Sequence, residues 1–133
     1  MTLATLEKEF YVETSDKAGT ASQLTKILSG NGKNNIKSIW GSSHDGIGYF
    51  YFIPEDLTTA KTALSASEFK NFREEDVVVA YINDKPGMVA ELTSKLAQEN
   101  INVNWFYTTY YNGKSALIFS SSDNQKALKL FNQ

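Results

Sequence analysis

The chain contains no cysteine, and that absence removes disulfides, thiolate nucleophiles and sulfur-based zinc sites together. Histidine is nearly absent too. The single one, His44, stands beside Asp45-Gly46 in an expected turn, with no partner in sequence that would make it a general base. No serine lies in a Gly-x-Ser-x-Gly context, and neither glycine pattern that cradles nucleotide phosphates occurs. No excess of positive charge exists, since the net charge is −2, and so there is no electrostatic footprint for a phosphate backbone. No apolar run approaches the roughly 18 residues that a membrane-spanning helix needs. The first residues, Met1 to Lys8, lack a basic start followed by an apolar stretch, so a cytoplasmic location is expected. Catalysis, metal or cofactor binding and membrane insertion therefore have no support here.

What is present is an internal repeat, which has to be read before any other feature. Asp16-Lys17-Ala18-Gly19 returns as Asp84-Lys85-Pro86-Gly87, Leu24 and Leu28 return as Leu92 and Leu96, and Asp45-Gly46 returns as Asn112-Gly113. With a small insertion in the first copy, Asn35-Ile36 aligns with Asn100-Ile101 and Trp40 with Trp105. That alignment makes the first hairpin two residues shorter than the second. Asp56 and Ala60 match Asp123 and Ala127.

Each copy reads as strand, helix, strand, strand, helix. Phe10–Thr14 and Val77–Ile82 are β-branched or aromatic runs that end at turn signals. Ala21, Leu24, Ile27 and Leu28, and in copy two Val89, Leu92 and Leu96, carry the apolar face of the first helix. Leu57, Ala60 and Leu64, then Ala127, Leu130 and Phe131, carry that of the last. Ile101, Val103, Trp105 and Tyr107 alternate with polar and aromatic neighbours as a strand. Asp56 and Asp123 stand where a capping residue opens the last helix. Copy one has room for a fourth strand near Glu68–Arg73, followed by Glu74-Glu75-Asp76 as a linker. Copy two ends at its helix and so is expected to lack that strand, leaving a sheet edge open. The expected class is α+β: two ferredoxin-like repeats, residues 1–73 and 74–133, packed side by side with helices on one face of antiparallel sheet.

The segment Asp84-Lys85-Pro86-Gly87-Met88-Val89 joins a strand to a helix. Proline suits the first helical turn, and glycine lets a ligand approach the backbone closely. The helix start offers unpaired N–H groups carrying partial positive charge, which match a carboxylate. Asp84 is suited to a ligand ammonium group, and Asn102 to donating and accepting alike. Those groups together describe a site for an α-amino acid.

These residues, followed by Leu92, Leu96 and Asn100-Ile101-Asn102-Val103, resemble the ACT domain family of amino-acid-sensing regulatory modules. The resemblance covers copy two apart from the last strand and covers copy one more weakly. It implies a βαββαβ sandwich, pairing of modules, and an amino acid bound between paired domains. It places Asp84, Pro86, Gly87, Met88 and Val89 in the ligand loop and Asn102, with Asn104 nearby, on a contacting strand. Copy one has Ala18 for the proline, Thr20 for the methionine and Lys37 opposite Asn102. Its counterparts are Asp16, Gly19, Thr20 and Ala21 in the loop, with Lys37 and Ser38 on the strand. The expected protein is a non-enzymatic amino-acid sensor, a homodimer acting on a partner enzyme in trans.

Two other readings stay open. Gly46-Ile47-Gly48-Tyr49-Phe50-Tyr51-Phe52 resembles the aromatic third-strand motif of RNA-recognition domains, with Asp45 and Ile47 where a basic and an aromatic residue belong. Alternatively Trp105-Phe106-Tyr107 and Tyr110-Tyr111 feed a protein interface in a subunit that holds no ligand.

Overall fold

A computed structural model of the chain describes residues 3–30, 32–83, 85–111 and 114–133, so the expected Asn112-Gly113 turn lies outside the described residues. The elements are β1 (Leu3–Ser15), α1 (Thr20–Ser29), β2 (Ile36–His44), β3 (Ile47–Pro54), α2 (Leu57–Ser65), β4 (Arg73–Asn83), α3 (Met88–Gln98), β5 (Val103–Tyr111), β6 (Lys114–Ser121) and α4 (Asn124–Phe131). They gather into two compact units, Lys8–Glu75 and Met1–Glu7 with Asp76–Gln133. Among the described residues no helix is long and apolar enough to cross a membrane.

In the first unit, strand order is β2-β3-β1, all antiparallel. Asp45 and Gly46 both take positive φ, 51° and 77°, as a two-residue hairpin turn of the I′ kind requires. Phe10 and Val12 of β1 and Phe52 of β3 share one sheet face, where they bury Leu24 and Leu28 of α1 and Ala60 and Leu64 of α2. Phe10 and Phe52 meet edge to face with centroids 5.6 Å apart. The expected strand over Glu68–Arg73 is not formed before Arg73. Phe69 is instead buried in the core and Phe72 packs on Phe10 at 5.6 Å, so two aromatics claim that stretch for plugging the core. β4 begins at Arg73 and runs through Glu74-Glu75-Asp76, which are strand and not linker. Three successive acids have poor strand propensity, which is why the strand was not expected there.

In the second unit, β4, β6 and β5 follow in that order, and Val78, Ala80, Ile82, Leu117 and Phe119 bury Leu92, Leu96, Ala127 and Phe131. Among the described residues no strand follows α4, yet the position beside β4 is not open. β1 neighbours β4 and starts at Leu3, seven residues before the expected Phe10. Ala4, 5% exposed, joins this second core. Its N–H donates to Asn132 Oδ1 at 2.8 Å, and its carbonyl accepts from Asn132 Nδ2 at 2.9 Å. The sheet edge is thus covered by the chain's first residues, which answers the liability of an unpaired edge.

The ladders also correct the repeat alignment. Ile36 pairs with Pro54 as Val103 pairs with Ser121, and Trp40 pairs with Tyr51 as Tyr107 pairs with Ile118. The counterpart of Trp40 is therefore Tyr107, that of Trp105 is Ser38, and the two hairpins have equal length. A slip of two residues preserves the facing of every side chain, so periodicity could not expose it. Each second strand carries a bulge, between Ile36 and Ser38 and between Val103 and Trp105. The even alternation expected from Ile101 to Tyr107 is broken there. Val103 packs on the helix-side core, whereas Trp105 pairs with Ser120 on the opposite face.

Candidate functional site

The four helices of the described residues begin in two different ways. α2 and α4 are capped by aspartate: Asp56 accepts from the Thr59 N–H at 3.1 Å and Asp123 from the Lys126 N–H at 3.0 Å. The Thr59 N–H, the largest influence, holds the Asp56 carboxyl below its ordinary range. α1 and α3 open instead on Gly19 and Gly87, at φ 91° and 88°, which as glycines have no side chain to bond the first turn. The Thr20 N–H reaches the Lys17 carbonyl at 3.2 Å and the Met88 N–H reaches that of Lys85 at 3.4 Å. The N–H groups that follow, of Ala21 and Ser22 and of Val89 and Ala90, are ones that no intrahelical bond can serve.

Each of these uncapped starts opens on a cavity inside its own unit. In the first unit the cavity is about 430 Å³ and is lined by Asp16, Lys17, Gly19, Thr20 and Ala21 against Gly41, Ser42, Ser43, Gly48 and Phe50. In the second it is about 470 Å³, with Lys85, Gly87, Met88 and Val89 against Thr108, Thr109, Tyr110 and Ser115. Both fall in the size range of small-molecule sites, roughly 300–1,000 Å³. The corrected register sets Gly41 against Thr108, Ser42 against Thr109, Ser43 against Tyr110 and Gly48 against Ser115. These matched positions line both cavities, so the duplication has preserved a cavity as well as the fold.

Of the residues expected at a site, Asp16, Gly19, Thr20, Ala21, Gly87, Met88 and Val89 line the cavities. Asp84 lies outside the described residues. Pro86 is exposed and does not line the cavity; it precedes the glycine in the turn. Lys37, Ser38, Asn102 and Asn104 line neither cavity, since they sit at the opening ends of β2 and β5. Asn102 braces that entry: its N–H donates to Ser122 Oγ at 2.9 Å and its carbonyl accepts from the Ser122 N–H at 2.8 Å. Lys37 and Asn104 stand at the equivalent bulges, and Asn104 Nδ2 donates to Ser120 Oγ at 3.3 Å. The lysine is thus the counterpart of Asn104, and Asn35 that of Asn102. Sequence reasoning missed the far wall of each cavity. Gly41-Ser42-Ser43 and Thr108-Thr109 are runs of small hydroxyl-bearing residues near the hairpin end, a legible signal once the hairpins are aligned correctly.

The aromatic run of β3 divides between two faces. Phe50 and Phe52 pack toward the helices, whereas Tyr49 and Tyr51 join Tyr11 and Trp40 on the opposite face. Trp40 and Tyr51 stack flat, with centroids 4.2 Å apart and planes 3° apart, and the Arg73 guanidinium lies 4.4 Å over Tyr11. Burial first, with Glu13 next for Tyr11, raises the phenol pKa values of Tyr11 and Tyr51. Glu9 and Glu75 also bear on Tyr51. Rings stacked on one another among carboxylates make a poor platform for bases joined by phosphates. His44, expected in the turn, is instead the exposed last residue of β2, with its Nε2 3.2 Å from Asp45 Oδ2. Among the described residues no group of acids and histidine could hold a metal ion.

Fold and cavities together define a class: a tandem α/β chain with a ligand-sized cavity at the start of the first helix of each unit. No protein-family model matches the sequence, and no curated protein does. Solved structures do. Protein BT0572 from Bacteroides thetaiotaomicron matches with a TM-score of 0.87 at 20% identity, over 97% of this chain and 88% of that one. The ligand-free regulatory subunit of aspartate kinase from Thermus thermophilus matches with a TM-score of 0.72 at 15% identity, over 99% and 95%. The allosteric aspartate kinase of Clostridium acetobutylicum gives 0.64 at 10% identity, over 98% of this chain and 33% of the enzyme. The chain has the tandem ferredoxin-like fold that its resemblance to the ACT domain family implies.

Proposed function

We propose that this protein is a non-catalytic regulatory module that binds a free α-amino acid in the cavities at the starts of α1 and α3. The observation that carries the reading is the contrast among helix starts: the two that line these cavities open on glycine, and the two that do not line them are capped by aspartate. A ligand carboxylate would occupy the place that a capping side chain fills elsewhere. Lys17 and Lys85 add positive charge at the rims. Asp16, and Asp84 by analogy, would receive the ammonium group. Lys37, Ser38, Asn102 and Asn104 would contact the ligand from a module paired with the one holding it. The similarity to regulatory subunits of aspartate kinase supports a role in regulating amino-acid metabolism. The working unit would be a cytoplasmic homodimer acting on an enzyme in trans, with ligand shifting a population that the enzyme reads.

A thermal-shift screen of the twenty amino acids tests this, because a ligand that binds only the native state raises Tm. At a concentration 100 times Kd the stabilisation is about 2.7 kcal/mol. Gly87→Asp and Gly19→Asp place a carboxylate where that of the ligand would sit, and each should abolish the response of its own unit. A panel without any shift, or an undiminished shift in the double variant, removes the proposal.

A further inference from the structure

We infer that the two cavities select different ligands, the first-unit cavity preferring an amino acid with a flat aromatic side chain. The kind of ligand rests on the proposed function; the selectivity comes from a separate observation at the cavity floor. Phe50 lines the first cavity, and Gly41 and Gly48 flank it. A Cβ added at Gly41 would come within 3.0 Å of Phe50 Cδ1 and 3.1 Å of Cε1; one at Gly48 would come within 3.4 Å of Cε2. The ring therefore lies across both glycines, touching one along each edge. Strand glycines weaken a sheet, and they mark places where something approaches the backbone closely. Covering Gly41 from the neighbouring strand is the sheet's own use of the ring. That use accounts for one glycine and leaves Gly48 without a reason. Both together strip side chains from around the ring and leave it open to the cavity.

The second unit is built otherwise at the same ladder positions. Thr108 and Ser115 replace the glycines, and Leu117 replaces the phenylalanine. Leu117 is 1% exposed and does not line its cavity. Met88, Val89, Tyr110 and hydroxyl groups form that wall instead. An aromatic ligand side chain would gain an offset-stacked or edge-to-face partner in the first cavity, worth roughly 2- to 10-fold in affinity beyond its buried area.

The test is a titration of the full-length ¹⁵N-labelled protein with L-phenylalanine and with L-leucine, reading the amides of Gly19–Ser22 and Gly87–Ala90 separately. L-Phenylalanine should shift the Gly19–Ser22 amides with an affinity at least about 5-fold above that of L-leucine. Phe50→Leu should bring that ratio close to one, with the larger loss falling on L-phenylalanine. Gly48→Ala keeps the ring and adds a methyl group that fits at 3.4 Å. It should weaken L-phenylalanine in the first unit and leave the second-unit response untouched, with an unchanged Tm showing that the fold is retained. Equal affinities at the Gly19–Ser22 amides, or L-phenylalanine shifting only the second unit, overturn the inference while leaving the amino-acid reading intact. Silence of both units toward all twenty amino acids overturns the reading beneath it as well.

Discussion

At the scale of single residues, the account turns on which side chains are missing at the helix starts. Gly19 and Gly87 sit at positive φ with nothing within 4 Å of an added Cβ. Space is therefore free, and the constraint is backbone conformation alone. Gly87→Ala should cost about 1–2 kcal/mol of stability from left-handed strain, measurable by urea denaturation. It should leave ligand binding nearly intact, in contrast with Gly87→Asp. Asp56 supplies the opposite case. Its folded-state pKa is lowered, so its contribution is present above the unfolded value and is lost as pH falls through the folded one. Asp56→Ala should therefore lower Tm at neutral pH, and the gap between variant and wild type should close as the solution is taken below about pH 4. A gap independent of pH would mean that the carboxylate is not the cap.

At the scale of elements, β1 links the repeats by serving both units. Ala4 is held to Asn132 by a reciprocal pair of hydrogen bonds of the kind a strand neighbour would make. Asn132→Ala should destabilise the second unit by about 1–3 kcal/mol. Hydrogen exchange at the β4 amides Val78–Ile82 should accelerate, while that of β3 stays near wild type. Uniform acceleration in both units would contradict the assignment of Ala4 to the second core. This strand was legible only in part: Phe10–Thr14 announces itself through aromatic and β-branched residues, whereas Leu3 to Glu7 is mixed and gains its role from a partner distant in sequence. The helices were legible in their central leucines, since Leu24 and Leu28, and Leu92 and Leu96, are buried at the spacing that the sequence displays. Ala21 and Leu57, expected on buried faces, instead lie exposed in the first turns. The hairpin register was not, since shifting Trp40 onto Trp105 changes no side-chain facing. The loop wall of each cavity followed from the Asp-Lys-x-Gly repeats. The strand half was hidden behind the misplaced tryptophans.

At the scale of the whole molecule, duplication has kept two cavities at matching positions while changing what lines them. The copies differ in their loops, with Ala18 for Pro86 and Thr20 for Met88, and the geometry of Gly41, Gly48 and Phe50 gives that difference a chemical direction. A chain with two unlike sites has the elements of a sensor that combines two signals, with coupling between them that is reciprocal by thermodynamic necessity. Calorimetry should then find that saturating one site changes the affinity of the other, by the same factor in either order of addition. Strictly independent sites would confine the protein to two separate readings. The most direct measurement is a crystal structure grown with a saturating amino acid identified in the thermal screen. The account predicts the ligand carboxylate within hydrogen-bond distance, about 2.7–3.2 Å, of the first-turn amides Thr20–Ser22 or Met88–Ala90. An amino acid seated elsewhere, or one in the cavity with its carboxylate turned from those amides, would contradict it.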